Sequence, residues 1–168
     1  WNGTAWVEMS IDMAGINDGV GNAEIHWVAD DQIFAVVKNP VDPLDRYIAM
    51  YNGAAWVPMT DVAADLEYSM HFMGPGEIYA VLGTKICKWT GILGQGGAWA
   101  IVSPDQANLR PGIQVVSDTE MYAVIGEKVC KWDGTAWADI TTDMVGLAPE
   151  FHRTSDEDIL AVAGLAIN

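Results

Sequence analysis

The three histidines of the chain fall at one recurring place. His26, His71 and His152 each stand seven residues before an isoleucine (Ile33, Ile78, Ile159), and a fourth segment has Gln114 seven before Met121. Imidazole is a ready ligand for zinc, copper and nickel, and three of them with an open position form a metal site. If the segments bearing them line one axis, three imidazoles and one amide would ring a channel able to hold a metal ion. The architectural alternative is that a repeat, once duplicated, carries a histidine kept for a hydrogen bond into register with its copies. No carboxylate or nucleophile recurs beside them, so a metal-dependent enzyme using the ring is the third functional reading. G-x-S-x-G, Walker A, H-E-x-x-H and C-x-x-C are all absent.

Acids and arginines form the other candidate set. Asp12, Asp61, Asp105 and Asp143 occupy corresponding parts of four connecting segments, where they would cap turns or line a shared pocket. Arg46 and Arg110, among only eight cations, would anchor a carboxylate or a sugar hydroxyl nearby. A further group of acids, Asp30, Asp31, Glu77, Asp118, Glu120, Asp156, Glu157 and Asp158, clusters at hairpin turns. None of them has the D-x-[DN]-x-[DN]-G spacing that wraps calcium, so solvated turn acids are expected. Cys87 and Cys130 also align. Equivalent positions in neighbouring units lie too far apart for a disulfide, which predicts two buried free thiols.

What would position these residues is a repeat. W-x-G or its variant opens at Trp1 (WNGTAW), Tyr51 (YNGAAW), Trp89 (WTG, with Trp99 after a longer turn) and Trp132 (WDGTAW). Upstream of the markers lie HWVADDQIFAVV, HFMGPGEIYAVL, QVVSDTEMYAVI and HRTSDEDILAVA, each reading as strand, polar turn, strand. A third strand follows in each (RYIAMY, KICKW, KVCKW, GLAIN). The Gly-bearing turn then leads to a fourth (TAWVEM, AAWVPM, AWAIV, TAWADI).

Four short antiparallel strands repeated four times predict an all-β, four-bladed β-propeller in a single domain over residues 1–168. The blades are expected at about 23–60, 68–102, 112–141 and 150–168 plus 1–10. The last is completed by an N-terminal strand at 4–9 joining the C-terminal strands of 151–168, which leaves no loose ring end. Ala35, Ala80, Ala123 and Ala161 would let neighbouring blades approach. Trp6, Trp56, Trp99 and Trp137 would fill the wedges between them. The histidine strand becomes the innermost. The links 10–22, 60–68, 102–112 and 141–150, with the insertion at 39–46, become a long-loop rim suited to binding.

Composition narrows the partners. At 51% hydrophobic and 18% charged residues, the chain is expected to fold rather than remain disordered. A net charge of −15 argues against nucleic acid and anionic membranes, and no apolar run reaches the length of a membrane span. The absence of an initiator Met suggests a product trimmed from a longer one. Asn2-Gly3-Thr4 is a glycosylation sequon only in a secreted setting.

The segments EMYAVIGEKVCKWDGTAW and DILAVAGLAIN running on to WNGTAW resemble the WDG-type propeller repeats of bacterial and phage proteins. They are also similar to the tectonin and tachylectin lectins. That resemblance covers nearly the whole chain and specifies blade architecture. It implies carbohydrate or surface recognition in an extracellular or virion-associated setting. The repeated Arg and Glu that accompany W-D-G in fucose-binding propellers are missing, so that sugar specificity does not carry over, and the lectins have five or more blades. The expected function is a non-enzymatic recognition or scaffold module, lectin-like or protein-binding through the long-loop rim, on a cell surface or phage particle. The alternative is a decoration or assembly domain of a larger complex.

Overall fold

The structure, a computed structural model, describes residues 25–29, 32–39, 41–42, 44–74, 76–153 and 159–163. Within them the chain is all-β, in successive antiparallel sheets with no helix. The first sheet runs in order through β1 (Ile25–Ala29), β2 (Gln32–Lys38), β3 (Asp45–Tyr51) and β4 (Trp56–Pro58), with the short β5 (Ala63–Ala64) returning to pair with β3. The second contains β6 (Leu66–Gly74), β7 (Glu77–Leu82), β8 (Lys85–Trp89) and β9 (Trp99–Ser103). The third contains β10 (Leu109–Ser117), β11 (Glu120–Ile125), β12 (Lys128–Trp132) and β13 (Trp137–Asp139), and β14 (Leu147–Arg153) with β15 (Ile159–Ala163) forms a final hairpin. The expectation of an all-β chain thus holds. The expected strand at 4–9, Trp6 and Asp12 lie outside the described residues.

The second strand of each four-stranded sheet explains the stacking. Ile33–Val37, Ile78–Val81 and Met121–Val124 are unbroken buried runs rather than alternating ones, as expected of strands covered on both faces. Alternate residues feed different cores. Phe34, Val36 and Ile48 pack against Met70, Ile78, Ala80 and Trp89 of the second sheet. On that sheet's other face Tyr79, Val81 and Ile86 meet Ile113, Val115, Met121, Ala123 and Trp132. Tyr122, Val124 and Val129 then pack on Leu147 and Phe151. First strands neighbour one another in turn, β6 beside β10 and β10 beside β14.

Local chemistry sets where the strands begin and turn. Each described link ends on a residue that tolerates the left-handed region: Asp65 (φ 62°), Asn108 (φ 63°) and Gly146 (φ 74°), each just before a first strand. The carbonyls of Asp65 and Asn108 then accept from Gly83 and Gly126 N–H at 2.8 and 2.9 Å, fastening the two-residue turns between second and third strands. The fourth-strand turn is an Asx turn in two units, with Asn52 Oδ1 accepting from Ala54 and Ala55, and Asp133 Oδ1 from Thr135 and Ala136.

One sheet face is covered unequally. Ile25, Met70 and Ile113 pair with Ala35, Ala80 and Ala123 at one equivalent position. Met70 and Ile113 are each 1% exposed against the preceding sheet, whereas Ile25 is 57% exposed and its neighbour Trp27 61%. Among the described residues, no packing between β14 and β1 matches that of β10 on β14.

Candidate binding rim and first-strand histidines

The register places the four aligned residues identically. His26 pairs with Phe34, His71 with Tyr79, Gln114 with Tyr122 and His152 with Leu160, always on a first strand opposite a second. His26 and His71 stand on neighbouring first strands with ring centroids 6.4 Å apart, and His26 also lies against Phe72. Burial, then the adjacent His26, lowers the His71 pKa to about 4, despite hydrogen bonds to the backbone of Ile113 and Val115 on the next strand. A neutral imidazole has one N–H and donates to one carbonyl at a time, so this ring bridges two sheets. Burial lowers the His26 pKa as well. Among the described residues, no group of three or more His, Cys, Asp and Glu side chains is placed to hold an ion. The structure brings together two of the four proposed ligands and gives one of them a backbone partner.

Arg46 and Arg110 each serve a joint between sheets. Arg46 Nη1 donates to the carbonyl of Leu66, the first residue of the next sheet, with its guanidinium 4.4 Å from the centre of the Tyr68 ring. Arg110 Nη1 donates to the carbonyl of Leu147, the equivalent first residue one sheet further on, at 2.8 Å. The acids are dispersed among local partners. Asp61 Oδ2 accepts from Gly97 N–H at 3.3 Å, tying the 91–97 loop of the second sheet to the link before it. Asp105 accepts from Thr84 Oγ1 at 2.6 Å and pairs with Lys85 at 3.5 Å; that hydroxyl, then the lysine, holds its carboxyl below the usual range. Asp143 pairs with Lys128 at 3.4 Å.

No family model, curated protein or solved structure matches the chain. The geometry of its own residues therefore carries the functional reading.

Two features stand out at the rims: a set of Tyr–Lys–carboxylate contacts that the sequence did not single out, and the insertion at 39–46 that it did. On the hairpin-turn rim, Tyr79 donates to the Asp118 carboxylate, Lys88 pairs with Asp118 at 3.3 Å and Glu77 at 3.1 Å, and its ammonium lies 5.2 Å from the Tyr79 ring centre. The third sheet repeats the set one unit on, with Lys131 3.1 Å from Glu120 and 5.4 Å from the Tyr122 ring centre. The signal was the recurrence of Tyr and Lys, at Tyr79 with Lys88 and at Tyr122 with Lys131, which cross-strand pairing joins. On the opposite rim, the insertion after β2 presents Val41 and Leu44, 89% and 79% exposed. Its described residues are hydrogen-bonded locally: Asn39 N–H donates to Asp45 O, Val41 N–H to Asn39 Oδ1 and Leu44 N–H to Asp42 Oδ1. The pairing of β5 with Asp45 and Arg46 brings the link carrying exposed Val62 beside it.

The cysteines are free and buried, and inert by environment. Burial raises the Cys87 thiol, and burial with Asp139 pushes Cys130 up to about 11, well away from a reactive thiolate.

Proposed function

We propose that the chain is a non-enzymatic recognition module, a four-bladed propeller of WDG-repeat type that docks on a protein surface through its long-loop rim. The observation carrying this is the insertion at 39–46. It occurs in one described unit, where the second and third have two-residue turns, and it holds two large apolar side chains in solvent on a hydrogen-bonded backbone. An apolar knuckle flanked by Asp42 and Val62, on a chain of net charge −15, fits an apolar patch rimmed by basic residues. Repetition of sheet order and register supports the propeller, which the hairpin of β14 and β15 would complete as the fourth blade with the segment at 4–9.

The test is affinity capture from a native extract with wild-type protein and a Val41→Asp/Leu44→Asp double variant, alongside a glycan array. A partner held by wild type and lost by the variant, at unchanged melting temperature, is the expected result. Equal capture by both proteins, or glycan binding that the double variant retains, would overturn the reading.

A further inference from the structure

We propose that Asn52 is a site of spontaneous deamidation, and that the turn holding it steers the product to ordinary aspartate. The reaction needs only water. The backbone nitrogen of Gly53 attacks Asn52 Cγ, a C–N bond forms, the Cγ–Nδ2 bond breaks and ammonia leaves, giving a five-membered succinimide. Water then opens the ring. Attack at Cγ restores the original main chain with an aspartate. Attack at the backbone carbonyl carbon gives isoaspartate, in which the main chain runs through the side chain.

Asn52 is exposed, and Gly53, at φ 88°, puts no side chain beside the attacking nitrogen. Its Oδ1 accepts two backbone N–H groups, from Ala54 at 3.1 Å and Ala55 at 2.9 Å. Donors aimed at one carbonyl oxygen polarise that carbonyl and stabilise the oxyanion formed when it is attacked. They therefore favour attack at Cγ, both for ring closure by Gly53 and for ring opening by water. The second step decides the product.

The third sheet shows what that product would be. Asp133, at the equivalent turn, accepts from Thr135 and Ala136 N–H at 2.8 and 2.9 Å, so an aspartate fits without rearrangement. The Thr135 hydroxyl, then the two N–H groups, lowers the Asp133 pKa to about 2. An ionised carboxylate lacks a leaving hydroxyl, so ring closure is slowed at Asp133. The same two N–H donors would receive an aspartate at position 52, although Ala54 there lacks the Thr135 hydroxyl, and loss of ammonia makes the change one-way. Isoaspartate, with one more carbon in the main chain, breaks the turn. Among the other described asparagines, Asn39 precedes Pro40, which has no N–H, and Asn108 precedes the bulkier Leu109.

The full chain, aged in mildly alkaline buffer with and without urea, is read by peptide mapping, which separates Asn52-Gly53 from Asn2-Gly3. The peptide containing residue 52 should gain about 1 Da in the folded protein. Its ratio of aspartate to isoaspartate should exceed the urea value by at least about threefold. Ala54→Pro, which deletes one donor, should bring the ratio down, and Asn52→Asp should melt like the aged protein. An intact Asn52 in folded protein while the urea sample converts, or equal ratios in both, would overturn the proposal whether or not the Ala54 variant folds.

Discussion

Tyr79 and Asp118 belong to different sheets, and the phenol of one donates to the carboxylate of the other. Lys88 closes the triangle at 3.3 Å, while the indole of Trp132 donates to the Asp118 backbone carbonyl. The hydrogen bond from Tyr79, then Lys88, keeps the Asp118 pKa below its ordinary 3.8. Because the folded-state value is the lower one, the stabilisation is complete above pH 3.8 and is lost as pH falls below it through the folded pKa. Asp118→Asn should cost about 1 kcal/mol at neutral pH, an exposed charge being well screened. It should also flatten the acid limb of a melting-temperature profile; an unchanged profile would remove Asp118 as a joint.

His71 has the opposite charge type and a wider window. Its pKa falls from 6.5 to about 4 on folding, through burial and then the facing His26, so the folded state prefers the neutral ring. The unfolded chain takes up its proton at higher pH, and stability therefore declines as pH falls from 6.5 to about 4. That shift corresponds to roughly 3 kcal/mol at the end of that range. His71→Gln, copying the residue at Gln114, should fold and lose most of that decline. Denaturant midpoints measured across the interval check it.

Gly97 is held by space. A Cβ there would lie 2.7 Å from Gly91 N and 2.8 Å from Trp89 Cζ2, and the first of these is backbone that cannot swing aside. Gly97→Ala should destabilise by about 1–3 kcal/mol, as overpacking does. Since Gly97 and Gly94 also donate to Asp61 and to the carbonyl of Met59, loosening should appear as faster amide exchange on both sides of that joint. Wild-type stability in this variant would show that the loop relaxes freely.

The histidine alignment was legible because strand register follows the apolar pattern, which a sequence displays directly. What the imidazole of His71 touches was not, because its partners are main-chain groups of Ile113 and Val115, and a backbone carbonyl is the same whatever residue bears it. The arginines misled for that reason. Arg46 and Arg110 read as anchors for a ligand oxygen, and the oxygens they meet belong to Leu66 and Leu147. Acids at corresponding places in the links, Asp61, Asp105 and Asp143, each found a nearby donor, so correspondence in sequence produced separate local roles and, among the described residues, no common pocket.

Closure of the propeller makes the sharpest demand on the exposed stripe of β1. Phe72 of the second sheet stacks on Phe34 of the first, with ring centroids 4.7 Å apart. By register, Trp27 stands where Phe72 does, and Leu160 where Phe34 does, in the first and last units. A closed ring would bring the hairpin of β14 and β15 over Ile25 and Trp27, leaving them as covered as their equivalents Met70 and Phe72. With Cys87 and Cys130 replaced by alanine, Trp27→Cys and Leu160→Cys should be joined within one molecule by a short bismaleimide spanning the ~10 Å between packed sheets. A Phe34→Cys/Phe72→Cys pair serves as the positive control. Cross-linked dimers in place of an internal link would assign the β1 stripe to a second copy, and no link at all, with the control reacting, would rule out the closed ring.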